Sequence, residues 1–166
     1  MNCQLTVLMT VYNGSKFLRE AIDSVLNQTF SDFHFLIIDD ASTDDSPDIV
    51  RSYQDARIKF LPLDKNVGQT SALNKGLKIA CTKWIARMDA DDYSAPSRLE
   101  QQMMFLGRYP CIGVLGTHAW TFYDDPSESD GEILTAPEHG EIAKQLLNGS
   151  PLIHSSFVAL RDALLE

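Results

Sequence analysis

Short, largely apolar runs at Leu5–Met9, His34–Ile38, Ile58–Leu61, Trp84–Met88 and Ile112–Leu115 constrain this chain more than any other feature. Each is long enough for a strand buried on both faces and too short for a core helix. The stretches between them repeat apolar residues at helical spacing. Phe17, Leu18, Ala21, Ile22, Val25 and Leu26 follow Ser15, which is available as an N-cap. Ile49, Val50 and Tyr53 follow Ser46-Pro47, an N-cap with proline at the first helical position. Ala72, Leu73, Leu77 and Ala80 mark a helix over Thr70–Ala80, and Pro96 opens another that carries Leu99, Met103 and Leu106. This order predicts an α/β fold, a mostly parallel sheet with helices on both faces. Ligands of such sheets bind beyond the carboxyl ends of the strands. The polar clusters Thr10–Asn13, Asp39–Asp45 and Asp89–Asp92 all follow strands, so chemistry is expected on that edge.

At 166 residues the chain fits one domain. After residue 117 the pattern weakens. Asp124, Asp125, Glu128, Asp130, Glu132, Glu138 and Glu141 precede the next basic residue, Lys144, which reads as a solvated loop. A helix over Ile142–Leu147 and an apolar segment at Phe157–Leu160 complete the expected order.

Charge narrows the function classes. Fourteen Lys and Arg against 23 Asp and Glu leave a formal charge of −9, unsuited to tracking a nucleic-acid backbone. A nucleotide ligand stays open, because a divalent cation reconciles phosphates with carboxylates. No apolar run approaches the ~20 residues a membrane-spanning helix needs. The amino terminus MNCQLTVLMT has no basic segment ahead of its apolar stretch and reads as a strand rather than a signal peptide. Cys3, Cys81 and Cys111 are scattered, which argues against a zinc site or disulfide framework and for a cytoplasmic location.

The triplet Asp89-Ala90-Asp91 is the most informative local feature. Alternate carboxylates in an extended segment point the same way, and hard oxygen ligands suit Mg²⁺ or Mn²⁺. Such ions keep several waters and are completed by substrate phosphates, so one or two carboxylates suffice. Taken alone, the triplet could equally be a solvated turn before the next helix. Asp39 and Asp40 suit hydrogen bonding to a base or ribose, or the capping of a helix. Tyr12 offers a ring to stack on a base, or a core aromatic. Thr10 and Asn13 could shape the turn, and Asn66 with Gly68 suits a tight turn approached closely by a ligand.

In combination these clusters resemble a known family. TVYNG at 10–14, SVLNQTFSDFHFLIIDDASTDDS at 24–46, NVGQTSALNKG at 66–76 and RMDADDYSAPSRL at 87–99 are similar to the family 2 glycosyltransferases, which have the GT-A fold. The resemblance is close over about residues 4–117, and PLIHSS at 151–156 also fits. It implies a nucleotide-diphosphate-sugar donor with UDP favoured, Mg²⁺ or Mn²⁺, inversion at the anomeric carbon, and a glycan or lipid-linked acceptor. It further implies a cytoplasmic protein with room for peripheral association at the inner membrane face. Thr10 and Tyr12, flanking Val11 and followed by Asn13, match positions that contact the nucleobase. Asp40 matches the carboxylate at the base edge, with Asp39 its weaker neighbour. Asp89 matches the ribose-side acid and Asp91 the metal ligand, with Ala90 between them; Asp89 is a second candidate ligand. Arg98 is expected to brace this acidic loop.

An inverting transferase needs a general base for the acceptor hydroxyl. In the family that acid lies downstream of the PLIHSS-like segment, and this chain ends at Glu166 before such a motif. The expectation is a donor half at 1–117 followed by a partial acceptor side at 118–166. Glu138, Glu141 and His154 are the only nearby substitutes for a base, and His154 could instead complete a metal shell. A nucleotide-binding chain without transfer activity is the alternative. A phospho-receiver domain fits less well, because the third strand leads into Leu61-Pro62-Leu63 rather than an acid. A nucleotidyltransferase would want a more basic, glycine-rich loop than TVYNGSKF.

Overall fold

The computed structural model describes residues 3–123, 126–135, 138–145 and 149–165. Strands β1 (Leu5–Val11), β2 (Phe33–Asp39), β3 (Ile58–Pro62) and β4 (Trp84–Asp89) alternate with helices α1 (Ser15–Leu26), α2 (Ser46–Arg51) and α3 (Gln69–Ile79). Helix α4 (Arg98–Arg108), strands β5 (Val114–Leu115), β6 (Ala119–Phe122) and β7 (Ser129–Ile133), helix α5 (His139–Gln145), a 3₁₀ turn (His154–Ser156), strand β8 (Val158–Leu160) and helix α6 (Arg161–Leu165) follow.

Six strands form one sheet in the order β3-β2-β1-β4-β8-β5, and β6 pairs with β7 as a separate hairpin. β1 runs parallel to β2 and β4, and β2 parallel to β3. β8 lies antiparallel between β4 and β5. The mostly parallel α/β architecture is the one the strand–helix alternation predicts.

Central β1 is buried along its whole length, as the apolar run requires. Leu5, Val7, Met9 and Val11 pack with α1, α2 and α4 on one face, while Leu8 packs with α3 on the other. That period of two divides the core into two layers. α3 sits close on its face: a Cβ at Gly76 would lie 2.4 Å from Leu8 Cδ1. The register sets Val11 beside Asp39 and Thr10 beside Asp89, which carries the three polar clusters to one sheet edge.

Several local expectations are corrected. Ser15 is the first helical residue rather than the cap; its N–H donates to Asp44 Oδ2 at 2.9 Å, so the acceptor comes from a different loop. Likewise Ser46 lies inside α2 and Asp45 takes the cap position. α4 starts at Arg98, two residues after Pro96, because Gln28 Nε2 donates to the carbonyls of Ser94 and Ala95 and holds that segment out of the helix. The fifth strand is only Val114–Leu115. The acidic stretch is no continuous loop, since it contains β7 and the start of α5. β7 is exposed along its length, so it carries no apolar alternation to read. Asp124 and Asp125 lie outside the described residues, as do 146 and 147 of the expected Ile142–Leu147 helix; α5 covers His139–Gln145.

Candidate active site

The carboxyl ends of β1, β2 and β4 and the start of α3 surround a cavity of about 780 Å³, within the range that small-molecule sites occupy. Thr10, Val11, Tyr12, Asn13, Asp40, Asn66, Gly68, Asp89, Ala90 and Asp91 all line it. Of the residues expected to contact the nucleotide, Asp39 does not. It is buried, and its carboxylate accepts the Ser42 N–H at 3.2 Å.

The loop after β1 is tied to the loop after β2. Asn13 has a positive φ of 52°, a conformation asparagine tolerates better than most side chains. Its Oδ1 accepts the Thr43 N–H at 2.8 Å, and its own N–H donates to Ser42 Oγ at 2.9 Å. Asn13 therefore shapes this wall of the cavity. Tyr12 is 52% exposed, so its ring is open to a ligand rather than spent in the core.

Asp40 organises the opposite wall. Its N–H donates to the Val11 carbonyl, while Oδ1 and Oδ2 accept the Val67 and Gly68 N–H groups, each at 2.8 Å. Asn66 Oδ1 also accepts the Gly68 N–H, at 3.2 Å. Gly68 has φ +84°, a region that disfavours any side chain, so this turn needs glycine. A carboxylate offers about four acceptor positions, so Asp40 retains capacity for a ligand donor.

The DAD segment is electrostatically graded. Asp89 pairs with Arg87 Nη1 and accepts a longer bond from Gln69 Nε2 at 3.3 Å. Asp91 is exposed and accepts no hydrogen bond among the described residues. Burial pushes the Asp92 carboxyl above the usual range; a Ser155 hydrogen bond opposes this, and repulsion from Asp89 and Asp91 adds to it. Arg98 Nη1 donates to the Ser155 carbonyl and Nη2 to that of Arg87, so it joins β4 to the 3₁₀ turn. Burial pulls its guanidinium down to about 10, against the attraction of Asp92. The hydrogen bonds of Arg98 go to the strand before the acidic loop and to the 3₁₀ turn rather than to the loop itself.

Gly14, Lys16, Phe17 and Gln69 also line the cavity. Lys16 falls in the first turn of the helix expected after Ser15, and Gln69 precedes the expected Thr70–Ala80 helix but is the first residue of α3. Glu138, Glu141 and His154 are exposed and do not line the cavity; His154 sets its ring edge-on to Phe157. No trio of His, Cys, Asp or Glu is grouped for a metal among the described residues. The donor set fits a hard cation that brings its own water and takes phosphate oxygens, and it does not fit an ion that demands a complete protein cage. Asp91 is the carboxylate of the segment that is not already engaged by the protein and could hold such an ion.

The glycosyl transferase family 2 model matches residues 6–166. The chain is 35% identical over 164 residues to EpsE of Bacillus subtilis, covering 96% of this chain and 57% of EpsE. It is 37% identical over 134 residues to an uncharacterized glycosyltransferase of Methanocaldococcus jannaschii, covering 78% of this chain and 44% of that one. The chain thus spans about half the length of these relatives. Among solved structures, S. aureus TarS residues 1–349 with UDP-GlcNAc superposes with a TM-score of 0.79 at 24% identity, over 97% of this chain and 46% of that one. The mannosyltransferase PcManGT of Pyrobaculum calidifontis with GDP-Man and Mn²⁺ gives 0.71 at 21% identity, over 98% and 45%. Family match, shared fold and the ordered motifs at the sheet edge agree: this chain belongs to glycosyl transferase family 2 and has the GT-A fold.

Proposed function

We propose that this chain is the donor-binding part of an inverting glycosyltransferase that takes a nucleotide-diphosphate sugar, UDP favoured, for transfer to a glycan or lipid-linked acceptor. The observation that carries this reading is the gathering of Thr10, Asp40, Asp89 and Asp91 around one cavity. Tyr12 stacks on the base, and Thr10 and Asp40 take its polar edge. Asp89 accepts the ribose hydroxyls, and Asp91 holds Mg²⁺ or Mn²⁺. When bound, the cation neutralises the diphosphate leaving group as its bond to the sugar breaks. TarS was solved with UDP and UDP-GlcNAc, and PcManGT with GDP-Man and Mn²⁺, which supports both the ligand class and the ion. No helix among the described residues is long and apolar enough to cross a membrane. A cytoplasmic protein with peripheral contact at the inner face suits a lipid-linked acceptor.

Calorimetric titration with UDP and GDP, with Mn²⁺ and then with EDTA, tests this reading. Binding that needs Mn²⁺ and falls with Asp91→Asn supports it; UDP affinity unchanged by EDTA overturns the metal assignment. The position of Glu138, Glu141 and His154 away from the cavity favours a second reading for residues 1–166, donor binding without efficient transfer. A general base contributes typically about 10²–10⁴-fold in rate. Robust turnover abolished by Glu138→Gln, Glu141→Gln or His154→Ala would overturn this second reading.

A further inference from the structure

The two acids of the DAD segment differ in what already holds them. Arg87 and Asp89 are two residues apart on β4 and so project from the same face of the sheet. Arg87 is 5% exposed, its Nη1 donates to Asp89, and its Nε has no partner among the described residues. Gln69, the first residue of α3, takes the other oxygen of Asp89. Both oxygens of Asp89 are therefore engaged from the protein side, whereas Asp91 is unengaged. A carboxylate oxygen that accepts a charge-assisted bond donates less density to a metal, and the adjacent guanidinium repels a cation. Arg87 pairs with Asp89 and Arg98 is attracted by Asp92, whereas Asp91 has no ion pair among the described residues.

We propose that Arg87 is a positioning residue that keeps Asp89 out of the cation's coordination shell. The ion is then left with Asp91 and the nucleotide's own phosphates, so cation and nucleotide each bind this site weakly alone and tightly together. The proposal rests on the donor-binding reading above. One carboxylate is a poor host for a hard dication that sheds water reluctantly, so the diphosphate must supply the remaining oxygens. Linkage then runs both ways: nucleotide raises metal affinity by the factor by which metal raises nucleotide affinity. Arg87 sets that factor, because without it Asp89 is free to become a second protein ligand.

The test is Mn²⁺ binding by electron paramagnetic resonance, with and without UDP, on the 166-residue chain and its variants. The parent is expected to hold Mn²⁺ weakly alone and at least about tenfold more tightly with UDP. Arg87→Met should bind Mn²⁺ alone about tenfold more tightly than the parent, because a positive charge beside the ion is removed, and should lose most of the UDP linkage. Arg87→Lys should keep the parent's pattern. A merely structural arginine would not raise metal affinity when removed, so a folded Arg87→Met that binds Mn²⁺ no better than the parent overturns the proposal. Should that variant not fold, Asp89→Asn decides. It should keep measurable Mn²⁺ binding in the absence of nucleotide while Asp91→Asn abolishes it, and equal losses from both overturn the proposal. A parent that binds Mn²⁺ but neither UDP nor GDP overturns the donor-binding reading and the proposal with it. A parent that binds them, with Asp89 and Asp91 equally needed for the metal, overturns the Arg87 assignment alone.

Discussion

Replacing Asp40 with alanine should damage the fold and the ligand site by separable amounts. Asp40 is 2% exposed, and its carboxylate accepts two backbone N–H groups at 2.8 Å, from Val67 and Gly68. A hydrogen bond to a charged group contributes ~1.5–3 kcal/mol, which puts two of them at ~3–6 kcal/mol. Asn66 is exposed and Val67 half-buried, so water can reach the freed donors and the lower end applies, about 3 kcal/mol. For a domain of this size that corresponds to a melting temperature lower by about 6–12 °C. Asp40→Asn keeps one carbonyl oxygen and should lose about half as much. The assays are urea denaturation for stability, and calorimetry with UDP and with pyrophosphate, both in Mn²⁺. UDP should lose ~1–3 kcal/mol beyond any loss for pyrophosphate, the cost of an unpaired polar partner at the base. A stability loss below about 1 kcal/mol for Asp40→Ala would refute the account of the 66–68 turn. Equal losses for the two ligands would mean that Asp40 shapes the cavity and does not read the base.

Gly76→Ala should destabilise by ~1–3 kcal/mol in urea denaturation, because the added Cβ meets Leu8 Cδ1 at 2.4 Å and Ile38 Cδ1 at 2.9 Å. A neutral result would mean that α3 shifts off the sheet at little cost. Arg98→Met should cost about 1–2 kcal/mol by leaving the Ser155 and Arg87 carbonyls unpaired, with faster amide exchange at the 3₁₀ turn and unchanged exchange in β1. Protection kept at Ser156 would show that other contacts hold the turn. Burial disfavours the charged form of Asp44, but hydrogen bonds from Ser46 and Ser15 outweigh it and hold the carboxyl at about 2. A folded pKa below the unfolded one stabilises above the unfolded value of 3.8 and is lost as pH falls from there through about 2. Asp44→Asn should flatten that part of the stability–pH curve, and an unchanged slope between pH 4 and 2 would contradict the assignment.

The alternation of strands and helices along the chain, the mostly parallel sheet with helices on both faces and the edge that carries the polar clusters were all legible in the amino-acid sequence. Each depends on local spacing: period two in β1, helical spacing in α1, and polar residues where an apolar run stops. The parallel connections then leave few topologies, and the structure selects one of them with its register. The DAD segment and the TVYN loop were locatable for the same reason, since their surroundings are strand ends. What the tertiary structure decided is how individual groups are satisfied across distance in the chain. Asp40 reaches 27 and 28 residues ahead to Val67 and Gly68, Gln69 reaches 20 ahead to Asp89, and Asp44 caps a helix that begins 29 residues earlier. No local pattern encodes such pairings, because many carboxylates could equally have served each donor. Phe157–Leu160 was visible as an apolar segment, but its antiparallel place between β4 and β5 depended on which edge the folded sheet left open. The hairpin of β6 and β7 was invisible because β7 is exposed throughout and β6 is half-buried only at Ala119 and Phe122, and burial is what writes periodicity into a sequence. Asp89 and Asp91 are the same residue type two positions apart, and only the packed guanidinium of Arg87 makes them different.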